Sequence, residues 1–221
     1  MYLQTEVGST HMLDKKIKVL LFLAALQAAL FTIAPMLSVK TGTVFGVKFL
    51  TGTALFGVCY IITDLINNNW GKGLARTVIT ISCLVRMAIY LVVIPTIISI
   101  PTAAAPLNYK VFVLSAWWIF LAGEISMWTT QYFLEIPFFS WIRQIFGFGN
   151  SYILSGILNT AISALLFSII AFWGASKLGT LILGQWVFSV GIRVVSLPIA
   201  VVANKLLLKI APKNFPNTKN S

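Results

Sequence analysis

The run V-F-V-L-S-A-W-W-I-F-L-A-G-E-I-S-M-W-T-T-Q-Y-F-L-E-I, residues 111–136, decides the fold class. Its first half carries no charge for more than three helical turns, and the whole is too long for a buried strand. A helix needs roughly 20 apolar residues to cross a hydrocarbon core of about 30 Å. Five further segments meet that standard, 19–39, 47–66, 77–100, 151–173 and 178–203. Composition agrees: 58% of the 221 residues are apolar, 10% are charged and the mean hydropathy is +0.92, whereas soluble domains have about 25% charged residues. The sequence predicts an all-α integral membrane protein, a bundle of six transmembrane helices at 19–203 between a polar segment 1–18 and a basic tail 204–221. A membrane barrel would need alternating strands of about ten residues. A cleaved secretory signal is not expected, because the first apolar run, from Val19, is of membrane-spanning length with no A-x-A site after it.

The connections carry turn and breaker residues: Lys40-Thr41-Gly42, Asn67 to Gly73, Pro101 to Pro106, Pro137 to Asn150 and Gly174 to Lys177. The net charge of +11 comes from 16 Lys/Arg and 5 Asp/Glu dispersed along the chain rather than from one basic patch, so it speaks for topology and not for a nucleic-acid partner. With the N-terminus inside, ten basic residues fall on the cytoplasmic side and four, Lys40, Lys48, Lys110 and Lys177, outside. Both termini are therefore predicted to be cytoplasmic. Cys59 and Cys83 lie in apolar runs, and the single histidine, His11, lies in the polar N-terminal stretch. No metal site, cofactor site or catalytic triad is expected, and neither an H-E-x-x-H nor a G-x-S-x-G pattern points to an intramembrane enzyme. Gly71-Lys72-Gly73 and Gly147-Phe148-Gly149 complete no phosphate loop.

Arg86 and Arg193 are the basic residues that the spans themselves must bury, and Asp64, Glu124 and Glu135 are the acids. Charge at membrane depth is costly and faces the bundle interior or a wet cavity. Residues three, four or seven apart share a helix face. Glu124, Trp128, Gln131 and Glu135 form such a stripe, as do Ser155, Asn159 and Ser163, then Gln185, Ser189, Arg193 and Ser196, and Thr53, Tyr60 and Asp64. Interhelical hydrogen bonding accounts for the Ser, Thr and Asn positions by themselves. An ion pair with Arg86 or Arg193, or a part in binding and proton traffic, accounts for Glu124. Asp64 and Glu135, near the cytoplasmic ends of their spans, also fit residues that snorkel to the interface. The candidate site is Asp64, Glu124, Trp128, Gln131, Glu135, Asn159 and Arg193. Pro95 and Pro198 fall inside spans, where proline allows a kink.

The string Phe56 to Arg76, F-G-V-C-Y-I-I-T-D-L-I-N-N-N-W-G-K-G-L-A-R, resembles the signature F-P-x-x-Y-x-x-T-D-x-x-N-E-x-Y-G-x-x-x-A-R of the queuosine-precursor transporter family, also called the vitamin uptake transporter family. Gln131 to Gln144 is similar to that family's Q-x-x-D-x-x-x-F-x-x-L-R, with Glu135 in place of Asp and with Phe139 and Arg143 matching. Ala171-Phe172-Trp173 resembles the end of its fifth helix and Leu197-Pro198 its final-helix proline. The departures are Asn68 for Glu, Gly57 for Pro, Ser163 near an Asp and Ser189 near a Lys. The resemblance implies ion- or proton-coupled import of a 7-deazaguanine such as preQ0 or preQ1 across a bacterial inner membrane. Its partners would be that small molecule and the bilayer, and a homo-oligomer is left open. A carboxylate, Glu124 or Glu135, could accept from the N–H edge of such a base while the Trp128 indole stacks on its face. A substrate-binding S-type subunit of an energy-coupling vitamin uptake system is the alternative reading.

Overall fold

The computed structural model describes residues 2–38, 40–44, 46–99 and 109–210. The expected connection 101–106, and residues 211–221 of the tail with Lys213 and Lys219, lie outside the described residues. In chain order the elements are α1 (Tyr2–Leu37), a two-stranded hairpin of β1 (Thr41–Val44) and β2 (Val47–Leu50), α2 (Thr53–Trp70), α3 (Lys72–Ser99), α4 (Tyr109–Met127), a π-helical segment (Trp128–Glu135), α5 (Ile136–Phe172) and α6 (Leu178–Ile210). The described chain is thus almost wholly helical. Among the described residues four stretches are long and apolar enough to cross a membrane: Lys15–Leu37, Lys72–Val92, Trp117–Phe172 and Leu178–Ile210.

Three differences from the sequence reading have physical causes. First, 47–50 is not the start of a span. Val44↔Val47 and Thr43↔Lys48 pair across a turn that holds Gly46 at φ 78°, a left-handed conformation that glycine adopts without penalty, and β-branched residues flank it. Second, Pro137–Asn150 is not an open loop. Helix continues through it, broken at Gly147 (φ 75°, ψ −176°). The 56-residue stretch Trp117–Phe172 would be more than twice as long as the bilayer core if straight, at about 1.5 Å per residue. It instead doubles back: Trp118 Nε1 donates to Ile170 O (2.9 Å), Ser126 Oγ to Ser163 O (3.0 Å) and Ser155 Oγ to Glu135 Oε1 (3.1 Å), an antiparallel register. Third, α2 falls short of a span on composition because it carries Asp64 and Asn67 to Asn69, yet it is the most enclosed helix, with 14 of its 18 residues buried.

Helix α2 is central because it packs against α1, α3, α4, α5 and α6. Ile62 and Ile66 pack with Val78, Ile79 and Cys83 of α3. Phe56, Cys59 and Tyr60 pack with Phe31 and Ala34 of α1 and Met127 of α4. Ile61 and Leu65 pack with Phe139 and Tyr152 of α5 and Ala200 and Leu207 of α6. Such a helix need not be apolar all round, since its polar groups meet protein rather than lipid. At its foot Gly71, at φ 91°, turns the chain directly into α3. The hairpin lies over the other end: Leu50 packs with Ile119, Ala122 and Phe167, and the Phe49 ring stacks on Phe188 of α6 at 3.7 Å.

Candidate functional site

A column of polar side chains runs along the inner face of α2 and collects partners from α1, α4, the π-helical segment, α5 and α6. Thr53, Tyr60, Thr63, Asp64 and Asn67 follow the helical repeat and share this face.

At mid-column Arg193 of α6 joins two acids. Its Nη1 donates to Asp64 Oδ2 at 3.3 Å and its Nη2 to Glu135 Oε1 at 3.1 Å. Nη1 also donates to Tyr152 O (3.0 Å), and Ser155 Oγ donates to Glu135 Oε1 (3.1 Å). The guanidinium lies over the Tyr60 ring (4.6 Å) and the Tyr152 ring (5.2 Å). Gly156 opens the space for this side chain, since a Cβ there would come inside 3.0 Å of Arg193 Cδ, Nε and Nη1. All three charged residues are buried, at 0–1% exposure. Asp64 Oδ1, Glu135 Oε2 and Arg193 Nε find no hydrogen-bond partner among the described residues. Next to the cluster the Thr63 hydroxyl accepts from Gln27 Nε2 (2.9 Å) and donates to Gln131 Oε1 (2.9 Å).

A second pair stands apart. Arg86 of α3 meets Glu124 of α4, donates to Phe31 O at 3.1 Å and lies between the Phe31 and Phe120 rings. One cation and one anion make a neutral unit, so burial of this pair leaves no net charge.

Between the Arg193 cluster and the hairpin is a cavity of about 20 Å³, room for little more than one water. Its polar lining is Thr53, Tyr60, Ser126, Thr160, Ser163, Gln185 and Ser189, with Phe56 and Phe167 as apolar walls. Among the described residues no charged side chain lines it. Tyr60 ties the levels together, because its hydroxyl donates to Ser163 Oγ (3.1 Å) while its ring carries Arg193. At the other end of the column, Asn204 Oδ1 of α6 accepts from Asn69 Nδ2 (3.1 Å) and from Asn68 Nδ2 (2.5 Å), and Asn67 Nδ2 donates to Ile136 O (3.1 Å).

The structure therefore brings together Asp64, Glu135 and Arg193, with Gln131 beside them, and assigns Glu124 to Arg86. Snorkelling is excluded for Asp64 and Glu135, both fully enclosed. The expected single stripe of Glu124, Trp128, Gln131 and Glu135 is not present. Inward positions run 122/123, 126/127, 130/131 and then 135/136, a closing step of five because the π-helix has a wider turn. Trp128 falls on the outer face, 39% exposed, stacked on Tyr132. Asn159 is buried but lines a different, largely apolar pocket with Phe133, Phe138 and Trp141. Tyr60, Tyr152 and Gly156 complete the cluster without standing among the sequence candidates. Tyr60 was on the α2 polar face, and a glycine beside Ser155 in a span marks close approach, whereas Tyr152 carries no such signal. Among the described residues no group of three or more His, Cys, Asp or Glu is placed to hold a metal.

No curated protein and no solved structure matches the chain. A family model described as "Putative vitamin uptake transporter" matches residues 51–203, a range that holds the cavity, both ion-pair clusters and helices α2 to α5 entire. The chain is a multi-pass membrane protein that belongs to the vitamin uptake transporter family.

Proposed function

We propose that this protein is a self-contained secondary transporter of a bacterial inner membrane that imports a 7-deazaguanine such as preQ0 or preQ1, driven by a coupled ion or proton. It crosses the membrane six times with both termini in the cytoplasm. Helix directions support this count: α2, α6 and the π-helical continuation of α4 run parallel, since Thr63 meets Gln131 while Asn67 meets Ile136, and Asp64 meets Arg193 while Asn69 meets Asn204. The excess of lysine and arginine at the Trp70–Lys72 end of the bundle makes that end cytoplasmic.

The observation that carries the reading is the uncharged hydrogen-bonding cavity, built from four helices and set directly against a charged cluster. A flat heterocycle with several donors and acceptors suits Gln185, Ser163, Ser189 and Thr53 at its edges and Phe56 and Phe167 at its faces. The acids take a different role from direct base recognition, because Glu124 is held by Arg86 and Glu135 by Arg193. Ser163 and Ser189, two departures from the family pattern, both line the cavity, so specificity is where this chain differs from other members. A cavity of 20 Å³ is far below the roughly 300 Å³ of a ligand pocket. The conformation is thus the closed one, and cargo enters when helices part, as alternating access requires. The hairpin serves as outer gate and the Asn68–Asn69–Asn204 cluster as inner gate.

The test is expression in bacteria that lack both queuosine-precursor synthesis and their own importer, with low preQ0 or preQ1 supplied. Queuosine should reappear in tRNA without any added subunit, and Gln185→Leu should reduce it while the protein stays in the membrane. Queuosine that appears only with an added energy-coupling complex would identify an S-type subunit instead. No queuosine from a well-inserted chain would overturn the cargo.

A further inference from the structure

The Asp64–Arg193–Glu135 cluster holds an unbalanced charge. Two carboxylates and one guanidinium sum to −1, and all three groups are enclosed. Among the described residues, the charged and titratable groups that face the cluster are Tyr60 from α2, Glu135 from the π-helical segment, Tyr152 from α5 and Arg193 from α6, while α1 contributes the neutral Gln27, through Thr63. Arg86, also buried, is taken by Glu124. Among the described residues no second cation contacts the cluster to balance the extra carboxylate.

Both acids sit on the one guanidinium, Asp64 on Nη1 and Glu135 on Nη2. Two ionised carboxylates offer acceptors only, and Asp64 Oδ1 and Glu135 Oε2 are each left without a donor among the described residues. One bound proton removes the net charge and supplies an O–H donor. Glu135 Oε1 already receives two donors, Arg193 Nη2 and Ser155 Oγ, both at 3.1 Å, whereas among the described residues Asp64 has one, Arg193 Nη1 at 3.3 Å. The less well supported carboxylate is the one that takes the proton.

We propose that Asp64 binds one proton in this closed conformation and that this proton is the coupling ion of transport. The step is a simple transfer: an O–H bond forms on Asp64 from a proton of the outer solution, and it breaks toward cytoplasmic water when the Asn68–Asn69–Asn204 contact opens. No electron changes hands. Arg193 is the positioning residue, because it holds both acids and rests on Tyr60, which lines the cavity. The coupling role rests on the transporter reading above, but the proton itself is observable whatever the cargo.

The experiment is infrared spectroscopy of the full-length protein in lipid at neutral pH, in the carbonyl-stretch region of protonated carboxylic acids. One protonated-carboxyl band is expected. Asp64→Asn should remove it, and so should Glu135→Gln, because Asp64 then pairs with Arg193 as a balanced ion pair. Arg193→Gln should double the band, and if that variant does not fold, the two acid variants still decide. Absence of the band in the wild type, or its persistence in Asp64→Asn, overturns the proposal. In liposomes, preQ0 uptake by the wild type should rise with an inward proton gradient, and uptake by Glu135→Gln should ignore it. Uptake by the wild type that ignores the gradient, with the band present, overturns the coupling role. No preQ0 uptake at all, with the band present, overturns the cargo and leaves the proton site standing.

Discussion

Replacement of Gly156 by alanine tests whether Arg193 is pinned where the structure places it. The added Cβ would come inside 3.0 Å of Arg193 Cδ, Nε and Nη1 together, closer than real Cβ contacts. A free surface arginine would swing away, but this one is 1% exposed and fixed by Asp64, Glu135 and Tyr152 O. Either the α5–α6 contact opens or Arg193 gives up a carboxylate. Overpacking costs about 1–3 kcal/mol, and a broken buried ion pair about 3–5 kcal/mol, so a loss of about 3 kcal/mol is expected. For a chain of this size that lowers Tm by about 6–12 °C. Cys59 and Cys83 are free and buried, so a thiol-reactive dye reports unfolding of the unmodified chain in detergent. Gly149→Ala is the internal control on the same helix, since its Cβ would meet Leu197 and Val201 at an ordinary 3.8 Å. It should stay within about 2 °C of the wild type, in line with a change of about 0.5 kcal/mol. If Gly156→Ala melts no lower than Gly149→Ala, Arg193 does not occupy that space, and the cluster as described is wrong.

The Arg86–Glu124 pair should behave as a structural unit: Arg86→Met should cost about 3–5 kcal/mol by orphaning Glu124, and Arg86→Met with Glu124→Gln should recover most of that loss in the same thermal assay. A double variant no more stable than the single would show that the pair is not mutually dependent. Asn204→Leu takes the acceptor from Asn68 and Asn69 and should destabilise by about 1–3 kcal/mol; an unchanged Tm would remove the proposed inner gate. Gly184→Ala puts a Cβ inside 3.0 Å of Lys48 O and should lift the hairpin from α6. With both native cysteines replaced by alanine, a cysteine substituted for Thr53 should then react several-fold faster with an external thiol reagent. Equal rates with and without Gly184→Ala would show that the hairpin does not cover the cavity.

The sequence by itself determined what depends on local composition and spacing. Apolar runs of bilayer length made the chain a helical membrane protein, because a backbone in lipid must satisfy its own hydrogen bonds. The T-D, W-G and A-R order from Thr63 to Arg76 pointed to the family that the match over 51–203 confirms. Asp64, Glu135 and Arg193 stood out because charge in a span demands a partner. Tertiary structure alone decided which partner each charge meets, since Asp64 and Arg193 are 129 residues apart and their pairing follows from how whole helices pack. It also decided that Val47–Leu50 joins a hairpin seated on Gly184 and Phe188, where its apolar residues equally suit the start of a helix. The π-helical segment brought Glu135 inward five residues after Thr130, a step that α-helical spacing does not predict, while Trp128 stays on the outer face. Asn67 to Asn69 read as loop because hydropathy scores a residue against lipid or water, whereas in the folded bundle they are enclosed by α5 and α6. Local chemistry thus selected the charged residues, and the long-range packing of the helices gathered three of them into one enclosed cluster.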